Sequence, residues 1–544
     1  MLFGDVAATS TAVGATRSRL AKVDALAQLL GQTPPELVPA VTGMLAGAVR
    51  QGRVGVGSAV LRATRQVPAG EPDLTVSELD AALDEIAALS GTGSGTRRTA
   101  LVTGLLERCD GAGQRLVRGL LAGEVRQGAQ ESVLVDAVAR VAGVPAAVAR
   151  RALMLSGDLA VTATAALAEP RALAGDRLAA FHLQVLRPVR PMLASPADGV
   201  DDALGDPPRT VSVEHKLDGA RVQVHRDGDT VRVFTRTLHE VTARLPDLVA
   251  LVLAMPCSTV VLDGETLTLT EDGRPRPFQE TMARFGTRGA AGGPASDEAA
   301  VLRPFFFDCL HLDGADLLDE PLTVRREALA SVAGDLVVPG TVTDDPETAA
   351  DVLAASLAAG HEGVVVKDVD SPYAAGRRGA AWRKVKPVAT LDLVVLAVEP
   401  GSGRRTGTLS NLHLGARDPA GGPPVMVGKT FKGLTDELLA WQTTRLRELA
   451  VDDAPVALDG DEGGGDPGGG DPGGGDGAQW VVRVRPELVV EIALDGAQVS
   501  SRYPGGVALR FARVVRYRPD KEPAQADTLD AVRALLHPAT APPP

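Results

Sequence analysis

The chain has 544 residues, of which 44% are hydrophobic, and this is enough for about three domains with cores of their own. Its formal charge of −13 at pH 7 favours an acidic enzyme with a small-molecule substrate over a nucleic-acid-binding protein, unless the charge is unevenly distributed. The three cysteines, Cys109, Cys257 and Cys309, are scattered without a CxxC pair, so neither a zinc ribbon nor a disulfide framework is expected.

Residues 1–187 are predicted to form an all-α domain, because Ala, Leu and Val recur at three- and four-residue spacing. Residues 1–190 contain 20 Lys and Arg against 17 Asp and Glu, so the acidity of the chain lies further on. The Gly-rich stretch 91–98 lacks the closing Gly-Lys-Ser/Thr of a phosphate loop. Two interpretations of it stay open: a turn whose amides and arginines face a DNA phosphate, or an ordinary helix connection.

Residues 188–387 are predicted to form an α+β domain. The prolines Pro188 and Pro191 mark the change, because closely spaced prolines stop helices. The hydrophobic period then shifts toward two, with short strands at 222–225 and 231–234 around the turn Asp227-Gly228. Helical patterns return at 321–331 and 347–359.

Residues 388–525 are predicted to form a small β-barrel. Strand-like runs at 391–398, 480–484 and 488–492 dominate, and a helical segment at 434–449 interrupts them. Residues 459–477 hold six carboxylates, no cation and repeated glycines, which predicts a flexible surface insertion without a chemical role. Residues 526–544 are assigned to a C-terminal tail. The amino terminus lacks the apolar core of a signal peptide and no apolar run reaches membrane-spanning length, which predicts a cytoplasmic protein without membrane contact.

The distribution of lysines singles out one residue as a nucleophile. The chain has eight lysines against 48 arginines, and seven of the lysines lie between Lys216 and Lys521. A GC-rich genome explains why lysine is scarce, but it does not explain where the lysines are placed. Lys216 stands in the segment EHKLDGAR at 214–221. Arginine cannot lose its proton near neutral pH, whereas a lysine held among other cations can lose it and then act as a nucleophile.

Seven motifs in a fixed order extend this pattern over about 300 residues, which makes them far more specific than a single KxDG. They are EHKLDGARV at 214–222, FTR at 234–236, LDGE at 262–265, FFD at 306–308, EGVVVK at 362–367, WRKVK at 382–386 and RFARVVRYRPDK at 510–521. The series resembles the covalent nucleotidyltransferases, which comprise DNA ligases, RNA ligases and mRNA-capping enzymes. The whole chain resembles an ATP-dependent DNA ligase of the stand-alone bacterial type.

The resemblance implies a multidomain enzyme that seals nicks in duplex DNA. It implies an all-α DNA-binding domain, an α+β adenylation domain and a β-barrel of the OB-fold type. The amine of Lys216 would attack ATP to give a lysyl-AMP, the 5′-phosphate of the nick would take the AMP, and the 3′-hydroxyl would then displace it. ATP and Mg²⁺ are the implied cofactors, nicked double-stranded DNA is the implied partner, and we expect a monomer.

The resemblance also implies the roles of individual residues. Glu214 would accept a hydrogen bond from the adenine amino group, and Phe307 would stack on the base, although three successive phenylalanines equally fit a core strand. Glu265 and Glu362 would hold Mg²⁺, or else form structural salt bridges. The implied ATP-binding set is Glu214, Arg221, Arg236, Glu265, Phe307, Arg378, Lys384 and Lys386. The last motif would orient the pyrophosphate through Arg518, Asp520 and Lys521 and then swing away about a hinge near 387–389.

Two other functions are weighed against this one. An RNA ligase or another covalent nucleotidyltransferase is disfavoured by the long helical region before Lys216 and by the complete final motif. A DNA-binding protein without activity would have no reason to keep Lys216, Glu265, Glu362, Lys384 and Lys386 together. The last motif departs from the family pattern at Ala512 and Pro519, neither of which replaces a charged position.

Overall fold

The computed structural model of the chain describes residues 1–52, 54–125, 131–276, 280–281, 302–374, 378–401, 405–451, 456–457 and 480–536. The predicted insertion at 459–477 and the end of the tail after residue 536 lie outside the described residues.

The first domain is helical throughout its described part. Its helices are α1 Phe3–Ala15, α2 Arg19–Gln32, α3 Val38–Ala46, α4 Ser58–Ala63, α5 Val76–Ala88, α6 Ser94–Glu107, α7 Gly111–Ala122, α8 Glu131–Ala142, α9 Ala146–Ser156, α10 Leu159–Leu167 and α11 Ala174–Ala179. Side-chain caps fix where several begin: the Ser18 hydroxyl accepts from the Ala21 amide before α2, and Thr75 and Glu78 form a reciprocal capping box at α5. None of the helices in the described ranges has the length and apolar character that a bilayer crossing needs.

The second domain holds two antiparallel-rich sheets with helices on their outer faces. Its elements are β1 Leu193–Pro196, α12 Val200–Leu204, β2 Val211–Lys216, β3 Ala220–Asp227, β4 Thr230–Thr235, α13 Pro246–Leu253, β5 Thr259–Thr268, β6 Leu302–Leu312, β7 Ala315–Asp316, α14 Leu322–Ala333, β8 Gly340–Thr343, α15 Pro346–Ala358, β9 Gly363–Asp368 and β10 Arg378–Val385. The strand orders are β1-β10-β9-β2-β8 and β4-β3-β5-β6-β7. Helix α14 packs on β6, and α15 packs on β2 and β9. The predicted α+β arrangement is therefore present.

The third domain, which is called the barrel below, is a curved sheet around its own hydrophobic core. Its elements are β11 Ala389–Pro400, β12 Leu409–Ala416, β13 Val425–Thr430, α16 Asp436–Glu448, β14 Val456–Ala457, β15 Trp480–Arg483, β16 Val489–Leu494, β17 Gly496–Val499, β18 Val507–Arg510, β19 Arg513–Tyr517 and α17 Leu529–Arg533. The long strand β11 pairs with β12, β15 and β16, and this bends the sheet around residues such as Leu393, Leu414 and Ile492.

The predicted boundary at residue 525 needs correction, because the first part of the tail belongs to the barrel. Leu529, Val532 and Leu536 are buried in the barrel core. The Asp392 amide also donates to the Asp527 carboxylate at 2.7 Å. Helix α17 is too short to show a helical period in the sequence, so its apolar residues were not recognised as core.

The segment between the first two domains is held against the second by buried polar side chains. The Val189 amide donates to Gln223 Oε1 at 2.8 Å, and Gln223 Nε2 donates back to the Val189 carbonyl at 3.0 Å. The Leu186 amide donates to His225 Nδ1 at 3.1 Å. The two domains are thus joined by an ordered connection.

Candidate active site

Lys216 is the last residue of β2, and the pairing of β2 with β9 fixes its surroundings. The antiparallel register places Lys216 opposite Gly363, and the Glu362 amide donates to the Lys216 carbonyl at 3.0 Å. The Lys216 ammonium contacts the Glu362 carboxylate, and each side chain is 20% exposed. Gly363 has a φ of 144°, and a Cβ there would lie 2.2 Å from the Val385 carbonyl oxygen, so only glycine fits.

The charge state of Glu362 depends on several cations around it. Burial alone would raise the pKa of Glu362, but Lys216, Lys386 and Arg510 outweigh that effect and hold the pKa below its ordinary value. Glu362 is therefore an anionic group next to three cations.

The turn after Lys216 brings in Asp218 and requires Gly219. A Cβ on Gly219 would lie 2.4 Å from the Thr266 carbonyl oxygen, so the turn can approach β5 only with glycine at this position. The Asp218 carboxylate accepts from Arg510 of the barrel at 3.1 and 3.2 Å. Burial and the neighbouring Glu362 raise the pKa of Asp218, although Arg510 and Lys216 act in the opposite direction.

Arg221 is held rigidly in the cleft by a hydrogen-bond network. Its guanidinium donates to Asp263 at 3.0 and 2.5 Å and to the Met192 carbonyl at 2.7 Å. The Tyr373 hydroxyl donates to the same Asp263 carboxylate at 2.6 Å. Burial acts against the charge of Arg221, but Asp263 and the other surrounding groups hold its pKa above the ordinary value.

Glu265 lies on β5 directly opposite Arg221 of β3. Among the described residues its carboxylate has no hydrogen bond or ion pair. Burial raises the pKa of Glu265 to about 8, although Arg221 and Lys216 act in the opposite direction. A carboxylate that loses solvent without gaining a partner is costly to ionise, so a cation arriving with a ligand would bind it favourably.

Glu214, two residues before Lys216, is 1% exposed. Its Oε1 accepts from the Ser212 hydroxyl at 2.8 Å and from Arg326. Its Oε2 is buried and forms an ion pair with the Lys367 ammonium at 2.5 Å. The charge of Glu214 is therefore compensated by two cations, while Oε2 keeps a second lone pair that can accept from a further donor.

Phe307 of β6 packs where the two sheets of the second domain meet. Its ring contacts Trp382 of β10 edge to face, with the centroids 5.9 Å apart. The Lys367 ammonium lies 4.7 Å from the Phe307 centroid, and the Arg221 guanidinium lies 5.3 Å from it. The preceding residue, Phe306, is fully buried in the core, whereas Phe307 is half-buried. Strand alternation thus directs Phe307 to the cleft.

Comparison with known proteins identifies the family. The family profile described as the ATP dependent DNA ligase domain matches residues 191–386, the DNA ligase N terminus matches 56–139, and the ATP dependent DNA ligase C terminal region matches 405–521. A probable DNA ligase of Saccharopolyspora erythraea is 54% identical over 543 residues, which cover 99% of this chain and 99% of the relative. The chain belongs to the ATP-dependent DNA ligases.

Further comparisons agree with this assignment. A probable DNA ligase of Nocardia farcinica is also 54% identical, over 98% of this ligase and 100% of the relative. The solved structure Pmar-Lig_PreS3 aligns over 94% of this chain and 99% of its own, with 16% identity and a TM-score of 0.58. At that identity the likeness concerns the fold alone.

The cleft brings together most of the residues that the ligase motifs indicate. Lys216 and Glu362 are in contact, and Arg221, Glu265, Glu214 and Phe307 line the same region between the two sheets. Lys384 lies on β10, opposite Val365 of β9. Within the described ranges no group of three or more His, Cys, Asp or Glu side chains is arranged to hold a metal ion by itself.

The remaining predicted residues differ in their relation to this region. Arg236 is exposed in the turn after β4. Lys386 acts on Glu362 and also forms an ion pair with Asp495 of the barrel, and the side chain of Arg378 lies outside the described residues. In the last motif, Arg518 and Lys521 are turned toward β11: Arg518 pairs with Asp392 at 3.0 Å and with Asp520 at 2.7 Å, and Lys521 also pairs with Asp392.

The structure adds site residues that the prediction did not single out. Asp218, Asp263 and Lys367 stand inside the quoted motifs, so their presence in the motifs was the available signal. Arg510 opens the last motif and reaches Asp218 across the domain boundary. Arg326 lies on α14, outside every motif, and nothing in the sequence marked it.

Proposed function

We propose that this ligase carries AMP on the Nζ atom of Lys216 while it seals nicks. The contact of Lys216 with Glu362, in a cleft lined by Arg221 and Glu265, supports this role most directly. In the first step the Lys216 amine attacks the α-phosphorus of ATP, the bond to pyrophosphate breaks, and the amine loses a proton. The 5′-phosphate of the nick then takes the AMP from Lys216. Finally the 3′-hydroxyl attacks the activated 5′-phosphate, and AMP leaves.

The proposed nucleotide site uses the rigid groups of the cleft. Phe307 offers a half-buried ring face for the adenine, and Oε2 of Glu214 offers an acceptor for the amino group of the base. Arg221 is fixed by Asp263, so its guanidinium is oriented before ATP binds. Arg236, Arg378, Lys384 and Lys386 complete the proposed set of cations for the phosphates.

Mg²⁺ is the proposed metal cofactor, with Glu265 and Glu362 as the protein ligands. The residues fit the ion, because Glu265 has no partner among the described residues and Glu362 is held anionic. Mg²⁺ keeps several waters and substrate oxygens, so it does not need a cage made only of protein groups. When bound, the ion would supply charge neutralisation at the phosphates.

The last motif requires a second arrangement of the barrel in this proposal. Arg518 pairs with Asp520 and Asp392, and Lys521 pairs with Asp392. Arg510, from the same motif, faces the cleft instead. We propose that the barrel rotates about residues 387–389, which lead into β11 and include its first residue, between pyrophosphate release and closure on DNA. The helical domain would supply most of the grip on duplex DNA through phosphate contacts.

The proposed intermediate can be tested by labelling. The full-length chain is mixed with Mg²⁺ and ATP labelled on the α-phosphate, denatured, and examined for label that stays on the protein. We expect label from ATP but not from GTP, because Glu214 accepts from an amino group that GTP lacks at that position. Lys216→Arg should abolish labelling, because its guanidinium stays protonated.

Lys432→Arg is the matched control, because Lys432 is an exposed lysine of the barrel and the change keeps its charge. It should label like the unchanged chain. Label retained by Lys216→Ala would show that another residue carries the AMP.

A further inference from the structure

Two adjacent arginines of α14 point in different directions and have different roles. Arg325 is fully buried and donates to the Asp308 carboxylate at 2.7 Å and to the Glu320 carbonyl at 2.6 Å, which anchors α14 to β6. Arg326 points toward β2, and 22% of its side chain is exposed. Successive residues of a helix lie about 100° apart around its axis, so an anchor at Arg325 also fixes the direction of Arg326.

Arg326 makes a closed set of contacts with one carboxylate of the cleft. Its Nη1 donates to Oε1 of Glu214 and to the Ser212 hydroxyl, the latter at 2.7 Å. The Ser212 hydroxyl donates in turn to the same Oε1 at 2.8 Å. Oε1 is thus occupied by two donors, and the rotation of the carboxylate about its own axis is fixed.

The other oxygen, Oε2, has a single polar contact in the described structure. It is buried and forms an ion pair with the Lys367 ammonium at 2.5 Å. An ammonium can satisfy a carboxylate from many directions, whereas the planar guanidinium of Arg326 imposes one. A carboxylate oxygen can accept from more than one donor, so a ligand that carries an N–H group can add a hydrogen bond to Oε2 beside the contact with Lys367.

We propose that Arg326 is a positioning residue for base selection: it fixes the Glu214 carboxylate so that Oε2 faces the exocyclic amino group of the adenine. The inference rests on the proposed role of Glu214 in binding ATP. A base with a carbonyl oxygen at that position would place acceptor against acceptor. The fixed rotation then discriminates between the two bases, because the carboxylate cannot turn to avoid the clash.

The test compares ATP with purine riboside triphosphate, which lacks the amino group. For each nucleotide the rate of lysyl-AMP formation is measured against concentration in the full-length chain, in Arg326→Met and in Arg326→Lys. Arg303→Met is the matched control, because Arg303 lies in the same domain and makes an ion pair with the exposed Asp335 at 2.6 Å. Thermal unfolding of each variant reports folding separately.

For Arg326→Met we expect the half-saturating ATP concentration to rise roughly tenfold, which corresponds to the loss of about one hydrogen bond to a charged group. The maximal rate should stay within about twofold of that of the unchanged chain. The half-saturating concentration of purine riboside triphosphate should not change. Arg326→Lys should fall between, because it keeps the charge without the planar geometry. Arg303→Met should leave both nucleotides unaffected.

The failures can be told apart. If the unchanged chain prefers ATP and Arg326→Met keeps that preference, the inference is wrong and the proposed function stands. If Arg326→Met raises the half-saturating concentration equally for both nucleotides and also lowers the unfolding temperature, Arg326 has a structural role only. That result also overturns the inference. If the unchanged chain takes both nucleotides equally well, the proposed role of Glu214 fails and the inference fails with it. No lysyl-AMP from either nucleotide would overturn the proposed function itself.

Discussion

At the scale of single residues, three buried carboxylates of the second domain are each paired with two polar groups or with an arginine. Asp263 is shared by Arg221 and Tyr373, Glu214 lies between Arg326 and Lys367, and Asp308 is paired with Arg325. A buried ion pair adds little net stability, but removing one partner leaves an uncompensated charge. These pairs therefore fix the side-chain geometry around the cleft, and mutation of one partner strongly lowers the stability of the fold.

Arg325→Met tests this for the most deeply buried pair, in which neither side chain is exposed. We expect a loss of about 3–5 kcal/mol in the stability of the second domain, because Asp308 keeps its burial without its cation. Burial already raises the pKa of Asp308 against the effect of Arg325, and losing Arg325 raises it further. A carboxyl group whose pKa is higher in the folded than in the unfolded protein lowers the stability of the fold at pH values above the ordinary pKa of Asp. At acid pH the group is protonated in both states, so the destabilisation is smaller.

The loss of stability in Arg325→Met should therefore be larger at pH 8 than at pH 5, as measured by thermal unfolding. Arg303→Met, which breaks a more exposed pair with Asp335, should stay within about 0.5 kcal/mol. A loss that does not depend on pH would show that packing of the side chain, and not its charge, is what matters.

At the scale of secondary-structure elements, helices and strands with a clear hydrophobic period were predictable, and a helix too short to show a period was not. The helical pattern at 434–449 corresponds to Asp436–Glu448, and the strand pattern at 391–398 to Ala389–Pro400. The sequence did not decide whether Phe307 belongs to the core or to the cleft. Three adjacent phenylalanines hide the alternation that places Phe306 and Phe307 on different faces of the strand. Helix α17 was missed because five residues are too few to show a period.

Deletion of residues 463–476 tests the prediction that the insertion has no chemical role. The strands on either side of it pair directly, with Ala457 opposite Trp480. Cross-strand neighbours have Cα atoms only about 5 Å apart, so the residues that remain can connect them without strain. We expect the nick-sealing rate to stay within about twofold, since loop length has a small effect on stability.

A chain in which 463–476 is replaced by a Gly/Ser segment of equal length controls for length alone. A tenfold fall in sealing for the deletion, with the replaced chain unaffected, would show that the length of the insertion matters. A fall in both would show that its carboxylates take part.

At the scale of the whole molecule, the contacts between domains were the least predictable feature. Asp218 and Arg510 are separated by 292 positions in the chain, and Lys386 and Asp495 by 109. Each of these residues except Asp495 lies in a motif, but the motifs do not say which arrangement of the barrel brings them together. The partnering depends on domain orientation, which local sequence patterns do not encode.

The final prediction concerns the described orientation of the barrel, in which Arg510 contacts Asp218. Arg510→Met removes the ion pair with Asp218 but leaves Arg518, Asp520 and Lys521 in place. If the barrel adopts the described orientation for sealing and another for lysyl-AMP formation, the variant should label with ATP at a rate within about twofold of the unchanged chain. Its sealing of a nick should fall roughly tenfold, which corresponds to about 1.4 kcal/mol of lost stabilisation. Arg533→Met breaks an exposed pair within the barrel and should affect neither rate. An equal fall in labelling and sealing would mean that the Asp218–Arg510 contact serves both steps, and the proposed rotation about residues 387–389 would then lose its main support.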